Sequence, residues 1–140
     1  MSRVFWDTNL FIYLMEGSGE RARTVVSLRE RMLTRGDELY TSALTLGEIL
    51  VKPTEAGDTA LQQEYEQAIS AGAVIVPFDH SAARAYAAIR QDRGIRPPDA
   101  IQLACAVKAR VDLFITNDER LSQKVIPGIH FITSLDRTLL

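Results

Sequence analysis

The chain is poor in the residues that most often announce a site. It has one cysteine, Cys105, so no internal disulfide can form. A reducing, cytosolic setting is therefore expected. One cysteine and two histidines, His80 and His130, cannot build a usual zinc centre. His80 falls near a predicted helix start and His130 at the head of a predicted strand. Surface or capping roles are expected for both, which leaves no histidine pair for attack by a ribose 2′-oxygen. No apolar run approaches the ~20 residues of a membrane helix. No leader is visible, because Met1-Ser2-Arg3 runs straight into a strand-like segment. There is no basic surplus: 16 Lys and Arg against 18 Asp and Glu give −2, which does not announce a nucleic-acid binder. Arginines clustered beside a group of acids would still permit one. Gly17-Ser18-Gly19 follows a predicted helix rather than a strand, so it is no phosphate loop. No serine sits in a nucleophile elbow.

What is present fits one α/β domain over residues 1–140. A chain of this length buries roughly 70% of its unfolded surface, enough for a core without staples. Short apolar runs at Val4-Phe5-Trp6, Leu39-Tyr40-Thr41, Val74-Ile75-Val76, Leu113-Phe114-Ile115 and Phe131-Ile132 predict strands. Between them lie helical patterns. Leu10 to Met15 is apolar all round and predicts a buried helix. Arg21 to Thr34 places Val25, Leu28 and Met32 on one face. Thr45 to Val51 predicts a short helix closed near Pro53. Leu61, Tyr65, Ala68 and Ile69 mark a helix ended by Gly72, and Ala82, Tyr86 and Ile89 one that runs up to Arg93-Gly94. Pro97-Pro98 opens a helix from Asp99 to Arg110, with proline tolerated in the first turn, and Glu119 to Lys124 predicts a short one. This alternation predicts a three-layer α/β/α sandwich around a mainly parallel sheet.

In that architecture strand C-termini and helix N-termini share one edge, where ligands bind. Four acids fall there: Asp7 and Asp118 after strands, Glu48 and Asp99 near helix starts. Like charges packed together are unfavourable unless a cation holds them, so the four predict a hard-metal site. Each also has a plainer reading. Asp7 and Asp118 suit helix caps or turns, Glu48 stands at capping-box spacing from Thr45, and Asp99 is a first-turn acid. Caps explain the residues singly, not their convergence.

The motifs resemble those of the PIN-domain ribonucleases. They are Asp7-Thr8-Asn9 after a strand, Glu48 in Thr45-Leu46-Gly47-Glu48-Ile49-Leu50, Pro98-Asp99-Ala100-Ile101-Gln102-Leu103-Ala104, and Thr116-Asn117-Asp118. In order and spacing they cover essentially the whole chain and look like a VapC-type toxin of a toxin–antitoxin pair. The resemblance implies Mg²⁺ or Mn²⁺ at the acids, endonucleolytic cleavage of RNA, an inhibitory antitoxin and a homodimer. Asp7 and Asp99 are the expected direct metal ligands, with Glu48 and Asp118 binding directly or through water. Thr8, Thr116 and Asn117 are expected to orient the carboxylates. Arg93 and Arg96 are expected to hold RNA phosphates, whereas Arg90 suits helix-dipole compensation. Water attack predicts a 5′-phosphate and a 3′-hydroxyl. Trp6, Phe11 and Tyr13 are assigned to the core, Asp92 to a solvated helix face, and Cys105 to inert packing. Leu10, Phe11, Ile12, Leu14, Leu46, Ile49 and Leu50 exceed what one sheet face needs, so that region is the expected antitoxin groove. Two alternatives are a catalytically silent PIN domain that binds RNA or protein, and a phosphoacceptor receiver domain. The receiver lacks its acidic pair at Asp7 and its lysine after Phe131-Ile132.

Overall fold

The computed structural model describes residues 1–138. Strand β1 (Arg3–Trp6) is followed by helices α1 (Thr8–Glu16) and α2 (Glu20–Arg35), then by β2 (Glu38–Ser42). Helices α3 (Ala43–Glu55) and α4 (Thr59–Gly72) lead to β3 (Val74–Val76), and α5 (His80–Ile89) and α6 (Pro97–Lys108) to β4 (Leu113–Thr116). The short α7 (Glu119–Ser122), β5 (Phe131–Ser134) and a 3₁₀ turn (Leu135–Arg137) follow. The strands form one parallel sheet in the order β3-β2-β1-β4-β5.

Side chains alternate across the sheet and feed two cores, as a parallel sheet covered on both faces requires. Phe5, Tyr40 and Phe114 point to the face covered by α5 and α6, where the rings of Phe5 and Phe114 stack at 5.0 Å. Small buried residues of α6 (Ala100, Ala104, Cys105 and Ala106) let that helix lie close against the strands. Val4, Trp6, Leu39 and Ile115 point to the other face, where Leu10, Phe11, Val25, Leu28 and Met32 of α1 and α2 meet them.

Several elements differ from the sequence expectation, for identifiable reasons. Helix α1 is not buried all round: Leu10 and Phe11 are buried while Ile12 to Met15 are half-buried. Helix α3 starts earlier and ends later than predicted, capped by the Ser42 hydroxyl and running through Pro53. A proline so near the end forfeits only one intrahelical bond, and its φ suits the helix. Helix α5 stops at Ile89, short of Arg93-Gly94. There Arg90 Nη1 donates to the Ile95 carbonyl (2.7 Å) and the Gly94 amide donates to Asp92 Oδ1 (2.9 Å), local bonds that turn the chain out of the helix. Helices α6 and α7 end two residues before their predicted limits. At Gly36, φ is +76°, a left-handed C-cap that turns α2 toward β2. In the next residue, Asp37, the buried carboxylate accepts from the Ser2 amide (2.8 Å) and pairs with Arg35 (3.2 Å).

Candidate active site

The chain reverses its direction of sheet growth at β1: β2 and β3 lie to one side, β4 and β5 to the other. The carboxyl ends of β1 and β4 therefore diverge into a crevice, the usual ligand position in open parallel sheets. Asp7 and Asp118 stand at those ends. A cleft of about 340 Å³ opens there, lined by Asp7, Glu48, Asp99 and Asp118 with Thr8, Arg96 and Gln102 among its other walls.

Asp7 is the best-held acid. It caps α1, with its Oδ1 accepting from the Thr8 amide (2.8 Å), and its Oδ2 accepts from the Thr116 hydroxyl (2.9 Å). Burial pushes its carboxyl up from 3.8 to about 6; the Thr116 and Thr8 bonds oppose the rise, and the charges of Asp99 and Glu48 add to it. Asp99 is the third residue of α6, set by the Pro97-Pro98 first turn. Burial raises its pKa as well, with Arg96 opposing and Asp118 adding. Glu48 is not a capping-box residue. It is the sixth residue of α3, in the second turn, because Ser42 caps the helix and Thr45 is free to do something else. The Glu48 carboxylate is exposed to the cleft and accepts from the Thr8 hydroxyl at 2.7 Å. Asp118 does cap α7: its Oδ1 accepts from the Arg120 amide (2.9 Å) and the Leu121 amide (3.3 Å). Its Oδ2 faces Arg96 (3.9 Å) and Arg120 (3.7 Å).

One residue to which sequence reasoning gave no role sits at the centre. Gln102 is buried beneath the cleft. Its amide nitrogen donates to Thr8 Oγ1 (2.9 Å) and Thr45 Oγ1 (2.8 Å) and reaches Asp7 Oδ1 at 3.4 Å. Its carbonyl accepts from the Ser42 hydroxyl. It thus ties the end of β2, α1, α3 and α6 together under the acids. The signal was present: a lone amide in the apolar run Ala100–Ala106, three residues after Asp99 and so on the same helix face.

The remaining candidates divide. Thr8 and Thr116 both hydrogen-bond to acids of the cleft. Asn117 does not; its amide donates to the Tyr13 hydroxyl (2.8 Å), which also accepts from Arg21 (3.0 Å). Tyr13 accordingly packs half-buried against the core and also bridges α1, α2 and the end of β4 through its hydroxyl, whereas Trp6 and Phe11 are buried. Arg96 lines the cleft, 3.9 Å from Asp99 Oδ2. Arg93 is exposed outside it. Arg90 pins the loop through Ile95, and Asp92 lies in that loop, not on a helix, paired with Lys124 at 2.9 Å. His80 opens α5 at the surface and His130 faces Asp112 (3.4 Å), and neither lines the acidic cleft. Cys105 is buried, which pushes its thiol up to about 11.

The donor set is all hard oxygen. Among the described residues no group of three or more His, Cys, Asp or Glu side chains is arranged to hold a metal ion. A Mg²⁺ ion does not require one, because it keeps several waters and takes one or two carboxylates directly. The carboxyl pKa values of Asp7 and Asp99 are raised chiefly by burial and further by neighbouring carboxylates, and a divalent cation beside them would favour their ionised form.

Fold and site together define a single-sheet parallel α/β protein with an acidic cleft at its topological switch point. The family model for the PIN domain matches residues 4–126, and the chain belongs to that family. That assignment removes the receiver-domain alternative. No curated protein matches in sequence. Solved structures share the fold: VapBC2 of Rickettsia felis bound to a promoter DNA fragment matches with a TM-score of 0.73 at 14% identity, covering 94% of this chain and 98% of that one. DNA-bound VapBC of Salmonella typhimurium matches at 0.72 and 23% identity, covering 96% and 99%. A toxin–antitoxin complex of Klebsiella pneumoniae matches at 0.66 and 26% identity, covering 90% and 94%.

Proposed function

We propose that this protein is a divalent-metal-dependent endoribonuclease and the toxin of a toxin–antitoxin pair. The observation that carries the reading is the convergence of Asp7, Glu48 and Asp99 on one cleft at the carboxyl edge of the sheet, beside Arg96. Asp7 and Asp99 would hold Mg²⁺ or Mn²⁺ directly, with Glu48 binding through water. When bound, such an ion supplies charge neutralisation and Lewis-acid polarisation of a phosphoryl oxygen.

The chain's own residues do the rest. Thr116 and the Thr8 amide fix the Asp7 carboxylate, and the Thr8 hydroxyl fixes Glu48. Gln102 holds Thr8 and Thr45 beneath them, so the acids are positioned before substrate arrives. Arg96 meets the RNA backbone, and water attacks phosphorus to leave a 5′-phosphate and a 3′-hydroxyl.

The antitoxin reading is supported by the similar structures, one a toxin–antitoxin complex and others members of VapBC, a family of toxin–antitoxin systems. It is also supported by half-buried Ile12, Leu14, Leu46 and Leu50 on α1 and α3, next to the acids. An inhibitor laid there would deliver an arginine to the carboxylates. A homodimer would use other helices. The test is cleavage of total cellular RNA by purified protein, with Asp99→Asn as control and chemical typing of product ends. The proposal expects 5′-phosphate fragments from wild type only. Equal cleavage by the variant, or 2′,3′-cyclic ends, would overturn it.

A further inference from the structure

Asp118 occupies an unusual position among the four acids. One oxygen is committed to the backbone, accepting from the Arg120 and Leu121 amides as the cap of α7. The other faces two guanidinium groups, Arg96 from the loop before α6 and Arg120 from α7. Asp99 shares Arg96 at 3.9 Å and feels the charge of Arg120, but among the described residues only Asp118 of the four acids has both guanidinium groups within 4 Å. Neither arginine is fixed by these contacts. Separations of 3.7 and 3.9 Å are long for ion pairs, and the arginine side chains are 72% and 68% exposed. Loose exposed pairs of this kind contribute little to stability. Both side chains are therefore free to exchange one anion for another.

The loop that presents Arg96 is, by contrast, firmly built. Ile95 is buried beside it, Arg90 holds the Ile95 carbonyl, and Asp92 links Gly94 to Lys124 just beyond α7. A fixed base carrying an unfixed guanidinium suits capture of a mobile polyanion.

Building on the nuclease reading, we propose that Asp118 is the resting counter-ion of an Arg96–Arg120 phosphate clamp, not a ligand of the metal. In the free protein it keeps both guanidinium groups at the rim of the cleft. RNA phosphates displace it and take the arginines. Arg120, which the sequence did not mark, becomes the second phosphate contact. Asp118 then has a binding role through the arginines while its cap of α7 persists.

The experiment separates metal from RNA. Mn²⁺ affinity is measured by calorimetry for wild type, Asp99→Asn and Asp118→Asn. Affinity for a short single-stranded oligoribonucleotide is measured by fluorescence anisotropy in EDTA at several salt concentrations, adding Arg96→Gln and Arg120→Gln. Asparagine caps helices as well as aspartate does, so Asp118→Asn keeps α7. The expected result is Mn²⁺ affinity within about twofold of wild type for Asp118→Asn, against a loss of about tenfold or more for Asp99→Asn. Asp118→Asn should bind RNA more tightly, having lost the competing anion. Each arginine variant should bind RNA more weakly and flatten the log–log salt slope by about 0.7. A tenfold loss of Mn²⁺ affinity in Asp118→Asn, weaker RNA binding by that variant, or unchanged salt slopes in the arginine variants overturns the clamp alone. Wild-type protein that binds neither Mn²⁺ nor RNA overturns the nuclease reading and the clamp with it.

Discussion

Replacing Asp7 by asparagine should change the protein's stability in opposite directions at low and high pH. Burial, with help from Asp99 and Glu48, raises the Asp7 carboxyl from 3.8 to about 6. Between those values the folded protein keeps a proton that the unfolded chain has released. Metal-free wild type therefore loses stability as pH rises from about 4 to about 6, then levels off. At roughly 1.4 kcal/mol per pH unit, the ionised carboxylate costs about 3 kcal/mol at neutral pH. Asparagine removes that cost but accepts less well. It keeps an oxygen for the Thr8 amide and presents an amide to the Thr116 hydroxyl, a loss of about 1 kcal/mol. The net expectation is a gain of about 2 kcal/mol above pH ~7, a loss of up to about 1 below pH ~4, and a crossing between. Urea unfolding in EDTA, followed by the fluorescence of the single tryptophan, Trp6, reads this directly. A variant less stable than wild type by the same margin at every pH would refute the reasoning. It would show that Asp7 is a well-satisfied helix cap and nothing more.

Three further outcomes follow from the same geometry. Gln102→Ala leaves the buried Ser42 hydroxyl without its acceptor and takes a donor from both Thr8 and Thr45, and should cost about 2–4 kcal/mol in urea unfolding, although no charge changes. Metal and proton compete for Asp7, so Mn²⁺ affinity by calorimetry should climb as pH rises through about 6 and flatten above it. The Cys105 thiol, buried and pushed up to about 11, should resist an aromatic disulfide reagent in the native protein at pH ~8 and react promptly in denaturant.

The sheet was legible because parallel strands buried on both faces are written as short β-branched and aromatic runs. The edge holding the acids followed from topology alone. Helix ends were less legible, and local polar bonds explain why. Ser42 outcompetes Thr45 as the cap of α3, which frees Thr45 to join Gln102 and moves Glu48 a turn deeper. Arg90 and Asp92 bond to the chain just beyond α5 and end it early. Gln102 received no role because an amide in an apolar helix carries no charge to draw attention; only its spacing from Asp99 betrays it. Asn117 was misread for the converse reason. Adjacent residues after a strand point in different directions, so while Thr116 meets Asp7, Asn117 turns to Tyr13. The Asp118 cap was visible in the sequence, whereas its two arginines come from a distant loop and from its own helix.

The central claim is that the acidic cleft cleaves RNA only with a divalent cation. The direct measurement follows one defined RNA with purified protein, first in excess EDTA and then after Mg²⁺ is restored. The account predicts no cleavage in the chelator, recovery with Mg²⁺, and no recovery in Asp7→Asn or Asp99→Asn carried through the same cycle. Full cleavage by the wild type in excess chelator would contradict it.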